Sequence, residues 1–142
     1  MEKVLVTGAT GYIALHCVQQ LLDQGYAVNG SIRSPERKNE VIEALKNSGT
    51  STENLNLYVF DLTNDEGWDD GMEGCDYLLH VASPLALENH TEDYFVKPAV
   101  AGAKRALKFA KKHGVKKVVL TSSVAAIFET GEEKVFYDES DW

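Results

Sequence analysis

A doubly wound α/β fold, a five-stranded parallel sheet in the order 3-2-1-4-5 with helices on both faces, is the architecture this sequence predicts. Three observations carry it. Short apolar runs alternate with helical patterns over short connections along most of the chain. The first run ends in a glycine turn, TGATG, that opens directly into a helical pattern. The 142 residues are 44% apolar with three prolines, enough for one domain over residues 1–142 with its own core. Right-handed crossovers then set the strand order and put the switch point between strands one and four.

The elements follow in order. Residues 3–7 (KVLVT) are an apolar run bounded by Gly8, as in a buried parallel strand. Residues 11–24 repeat apolar side chains at helical spacing, with Ile13, Ala14, Cys17, Val18, Leu21 and Leu22 on one face, and Gly25 stops them. Residues 26–33 (YAVNGSIR) read as the second strand. Pro35 opens a helix that runs to about residue 47 and is closed by Gly49. Residues 55–60 (LNLYVF) form the third strand, and 64–72 a short helix whose Trp68 and Met72 pack beneath a loop. Residues 76–82 (DYLLHVA) are the fourth strand. The longest helix spans 94–113, with Phe95, Ala99, Val100, Ala103, Leu107 and Ala110 in register. After its stop at His113-Gly114, residues 115–122 (VKKVVLTS) form the fifth strand. Beyond Phe128 the pattern fades into a polar, acidic stretch.

The formal net charge of -8 repels nucleic acid and anionic membrane, so neither is an expected partner. No run reaches the length of a membrane span, and the N-terminus becomes a strand at once instead of a leader. A reduced, cytoplasmic setting is expected. Cys17 and Cys75 have no companion at ligand spacing, so no metal site is expected, while a disulfide between them stays open. Among His16, His80, His90 and His113, strand position explains His80 as packing and a helix end explains His113 as capping. The basic cluster between Lys104 and Lys117 reads as a solvated helix face.

Strand, glycine turn and helix in that sequence suit a dinucleotide pyrophosphate. Gly8 and Gly11 lack a β-carbon, so the turn tightens with its N–H groups pointing at the anion, and the helix adds its positive end. Ala14 stands where a third glycine often allows close helix–strand packing. The end of the second strand chooses the dinucleotide. An acid there would accept from a ribose 2′-hydroxyl, but residues 26–35 hold no Asp or Glu. Arg33 and Arg37 stand there instead and suit a 2′-phosphate, so NADP(H) is favoured over NAD(H).

These blocks, with Arg33-Ser34-Pro35, Asp61-Leu62, HVASP at 80–84, KPAVAG at 97–102, VVLTSSVAA at 118–126 and YDESDW at 137–142, resemble the extended short-chain dehydrogenase/reductase family. The resemblance is to its dihydroflavonol, cinnamoyl-CoA and yeast-type carbonyl reductase branch, over the N-terminal part of such an enzyme. It implies a Rossmann-type NADP-binding domain without the later strands and substrate lobe. It also implies that Gly8, Gly11, Tyr12 and Ile13 form the pyrophosphate loop and that Arg33 and Arg37 contact the 2′-phosphate. Asp61 and Leu62 are then the adenine-side pair, and Val81, Ala82 and Ser83 pass the nicotinamide ribose. Ser123 matches the catalytic serine, which would hydrogen-bond a substrate carbonyl oxygen as charge develops. On their own, Ser122 and Ser123 read equally as strand-end polar residues.

The family's proton donor is a tyrosine with a lysine four residues on. Four residues beyond Tyr12, Tyr26, Tyr58, Tyr77, Tyr94 and Tyr137 stand His16, Gly30, Leu62, Val81, Pro98 and Asp141. The chain is therefore expected to be the cofactor half of an NADPH-dependent reductase of small carbonyl substrates, inactive alone. A non-enzymatic NADP-binding sensor or scaffold, and the cofactor half of an epimerase or dehydratase, are the alternatives. An uncovered fifth strand and a family dimer helix at 94–113 predict a homodimer or other self-association.

Overall fold

Five strands form one parallel sheet in the order β3-β2-β1-β4-β5: β1 Lys3–Val6, β2 Ala27–Ile32, β3 Leu55–Val59, β4 Tyr77–His80 and β5 Lys117–Leu120. The computed structural model describes residues 1–84, 92–128, 134 and 136–141, and of residues 92–95 and 128 the backbone alone. His90, the Phe95 side chain and part of the acidic tail lie outside the described residues. Val6 at the end of β1 stands opposite Gly30 of β2 and Leu79 of β4.

Alternation along β1 divides the core into two layers, as strand pleating requires. Val4 and Val6 face α1 (Tyr12–Asp23) and α2 (Lys38–Asn47), meeting Ala14, Val18, Val41 and Leu45. Leu5 and Leu78 lie in the other cluster, with Trp68 and Met72 of α3 (Trp68–Met72) and with Ala106, Phe109 and Ala110 of α4 (Glu92–Lys112). Trp68 is wholly buried between Phe60 and Phe109, with ring centroids at 4.7 and 5.7 Å. Cys75 is buried and Cys17 half-buried, and both are free thiols.

The structure corrects several local expectations. A 3-10 turn, Pro35–Arg37, precedes α2 where one continuous helix was expected. The helix expected over 64–72 begins only at Trp68, because Asn64 turns the chain first by accepting the Glu66 N–H through Oδ1. Ile13 leaves the apolar face assigned to it and is 58% exposed, because the first turn of α1 projects past the strand ends.

The face of α4 is also rotated from the expected register. Gly102, Ala106, Phe109 and Ala110 point inward, whereas Val96, Val100 and Leu107 are about half exposed. Small residues let α4 lie close to its neighbours, and its larger aliphatic side chains line the outside. The basic cluster is likewise more than a solvated face. Arg105 and Lys108 pair with Asp65, Lys112 and His113 with Asp69, and Lys116 with Asp76.

At the sheet edge, β5 pairs with β4 alone among the described residues, and Val119 and Leu120 are each 51% exposed. A short helix α5 (Ala125–Phe128) and a 3-10 turn, Glu139–Asp141, follow. Among the described residues no helix is long and apolar enough to cross a membrane, and no cluster of metal-ligating side chains exists.

Candidate functional site

A cavity of about 650 Å³ opens at the carboxyl ends of β1 and β4, the switch point of the sheet. Every residue assigned above to cofactor binding lines it. The turn after β1 contributes Gly8 and Gly11, and the start of α1 contributes Tyr12 and Ile13. Arg33 and Arg37 follow β2, Asp61 and Leu62 follow β3, and Val81, Ala82 and Ser83 follow β4. Ser123 is not among the lining residues. It is exposed at the start of α5, where its Oγ accepts the Ala125 N–H at 3.3 Å and its carbonyl accepts the Ala126 N–H at 3.0 Å.

The turn itself differs from the expected arrangement. Its glycine N–H groups do not point into the cavity. The Gly8 N–H donates to Ser31 Oγ at 2.8 Å, the Ala9 N–H to the Ser31 carbonyl at 2.8 Å and the Gly11 N–H to the Gly8 carbonyl at 2.8 Å. These bonds hold the turn tight. The orphan donors are instead those of the first turn of α1, since Leu15 is the first whose N–H finds a carbonyl, that of Gly11. Gly11 at the N-cap makes no side-chain cap, and no acid lies in that first turn. The positive end of α1 is thus left open to an anion. Gly8 has φ +72, and a β-carbon there would meet Ala82 Cβ at 3.0 Å, so glycine allows the close approach of the two strand ends without strain.

Thr7 ties those ends together. Its Oγ1 accepts the N–H groups of Val81 and Ala82, each at 3.0 Å, and lies 2.9 Å from His80 Nδ1. With its lone pairs engaged, the hydroxyl donates to Nδ1, so His80 is neutral with its proton on Nε2. Burial also lowers the His80 pKa below its ordinary value. A depressed imidazole pKa adds stability above the unfolded-state value of 6.5, and that stability is lost as pH falls through the folded value. Melting temperature should therefore fall between about pH 8 and about pH 5, with a shallower slope in His80→Asn, whose amide oxygen replaces Nδ1 without titrating. Equal slopes in the two proteins would remove His80 from this account.

The far end of the cavity is acidic and rigid. Asp61 Oδ1 accepts the Thr63 N–H at 2.8 Å, and the Asp61 carbonyl accepts the Trp68 indole N–H at 2.9 Å. Between the two ends, Arg37 donates from Nε and Nη2 to Glu40, with Nη2 at 2.8 Å from Oε2, and this contact raises the arginine's pKa. The side-on edge of the fork is thus engaged, leaving Nη1 and the end-on edge for an incoming anion. Thr7 and Ser31 were missed in the sequence. Ser31 is a small hydroxyl on β2 and Thr7 one directly after β1, and no local pattern marks which backbone group either will bind.

A doubly wound sheet with a helix N-terminus and two arginines at its switch point defines a Rossmann-type protein. The chain belongs to the NAD dependent epimerase/dehydratase family, whose model matches residues 4–141. It is 36% identical over 141 residues to dihydroflavonol 4-reductase of Solanum lycopersicum, covering 98% of this chain and 37% of that protein. It is 37% identical over 143 residues to vestitone reductase of Medicago sativa, covering 99% of this chain and 44% of the relative. Among solved structures, yeast methylglyoxal/isovaleraldehyde reductase complexed with NADPH superposes with a TM-score of 0.83 at 33% identity. That superposition covers 99% of this chain and 43% of the yeast one. The chain thus spans well under half the length of these relatives.

Proposed function

We propose that this chain is the NADP(H)-binding portion of a reductase that converts an aldehyde or ketone to an alcohol. One observation carries the reading: the glycine turn, the two arginines and the segments that follow β3 and β4, far apart in sequence, line one cavity at the switch point. The open N-terminus of α1 suits a pyrophosphate, and the arginine pair after β2 suits a 2′-phosphate. When bound, the nicotinamide supplies a hydride. Residues of this chain bind and orient: Val81, Ala82 and Ser83 along the nicotinamide ribose, and Asp61 and Leu62 beside the adenine. In a complete enzyme Ser123 donates to the carbonyl oxygen. A tyrosine–lysine pair at the family's spacing does not occur in these residues, so the chain alone is read as a binder without turnover. The exposed aliphatic stripe of α4 and the open edge of β5 support self-association, with a second copy as the expected partner.

Titration of NADPH and NADH against the wild type and Arg33→Ala tests the assignment. NADPH should bind more tightly, and the variant should lose about 1.5–3 kcal/mol toward NADPH with little change toward NADH. Equal affinities in the wild type, or an unaffected variant, would overturn it.

A further inference from the structure

The loop at the adenine end of the cavity is gripped from outside by α4, through residues that the cofactor reading does not use. Arg105 lies mostly buried, its side chain 18% exposed, and its Nη1 donates to the Leu62 carbonyl. Its Nε donates to Asp65 Oδ1 at 2.5 Å, while Lys108 takes Oδ2 at 2.6 Å. One turn earlier, Gly102 brings the α4 backbone onto the loop, so that a β-carbon there would meet Leu62 Cβ at 3.1 Å. From the other side Trp68 holds the Asp61 carbonyl. Two consecutive carbonyls, those of Asp61 and Leu62, are therefore each bound by a side chain from a different helix.

We infer that Arg105 is a positioning residue for adenosine recognition: by holding the Leu62 carbonyl it sets Asp61, Leu62 and Thr63, all on the cavity wall, in the geometry that receives the adenine half of a nucleotide. The inference rests on the nucleotide reading above. Its chemistry is specific to a guanidinium. One planar fork serves a carbonyl from Nη1 and a carboxylate from Nε together, which a single ammonium does not reproduce. The Leu62 bond carries the effect, because Asp65 retains Lys108 when Arg105 is removed and does not itself line the cavity.

NADPH fluorescence titration, with AMP as a competitor that presents the adenine half alone, tests this on the full chain. Arg105→Met keeps the aliphatic stem and removes the fork. It should weaken NADPH, NADH and AMP by the same factor, about tenfold, and leave the NADPH-to-NADH ratio unchanged. Asp65→Asn and Lys108→Met disturb the ion pairs but spare the Leu62 bond, and should bind AMP within about twofold of the wild type. Wild-type AMP affinity in Arg105→Met, or equal losses in Asp65→Asn and Lys108→Met, would overturn the inference while leaving the nucleotide reading intact. A wild type that binds neither NADPH nor AMP would overturn both.

Discussion

Trp68→Ala should destabilise the chain by about 3–5 kcal/mol, much of the margin available to a domain of this size. The indole is wholly buried between Phe60 and Phe109. Its removal also leaves the Asp61 carbonyl without the indole N–H. Trp68→Phe is the intermediate case, since it keeps an aromatic ring in the stack but gives up the hydrogen bond and part of the indole's volume. Denaturant unfolding followed by circular dichroism should rank wild type, Trp68→Phe and Trp68→Ala in falling stability. A loss below about 1 kcal/mol in Trp68→Ala would mean that the α3–α4 layer collapses to close the gap.

Gly8→Val should cut NADPH affinity by well over tenfold. Three costs combine. A β-branched residue at φ +72 stands in the left-handed region, at about 1–2 kcal/mol for an ordinary L-residue. Its β-carbon would press on Ala82 Cβ at 3.0 Å and Ala82 Cα at 3.3 Å, and overpacking of this kind costs about 1–3 kcal/mol. Relief of that contact moves Ala82 away from the cavity wall, so binding suffers beyond the loss of stability. Gly8→Ala should show the same direction with a smaller effect. Titration beside a thermal melt distinguishes the outcomes, and a folded Gly8→Val protein with wild-type affinity would refute the role given to this turn.

Much of this molecule was legible because its signals are local. The strand order follows from alternation of short runs and from crossover handedness, neither of which requires a distant contact. The glycine turn and Arg33 follow directly on strands, where the fold class places a ligand, whereas Asp61 and Leu62 were assigned through the family resemblance. The face of α4 was not legible, because apolar residues recur at helical spacing on both of its sides. Val96, Val100 and Leu107 make one stripe and Ala106, Phe109 and Ala110 another, and only the distant Trp68 and Leu78 decide which is buried. Ser31 and Thr7 were invisible for a related reason. Their partners, Gly8 and the backbone of Val81 and Ala82, are brought to them by strand pairing across the sheet.

The central position of β1 also governs the order in which the sheet can close. Pairing of β1 with β2 and of β2 with β3 joins segments separated by a single helical crossover, Lys3 with Ala27 and Val28 with Leu55. Pairing with β4 instead brings Val4 to Tyr77, across every intervening element of the first half. Loop-closure entropy grows with the length enclosed, so a bare chain meets its largest single penalty at that step. Prior formation of the β1–α1–β2–α2–β3 unit shortens the effective loop and lowers the penalty. The crevice between β1 and β4 consequently comes into being only when the two halves of the chain meet.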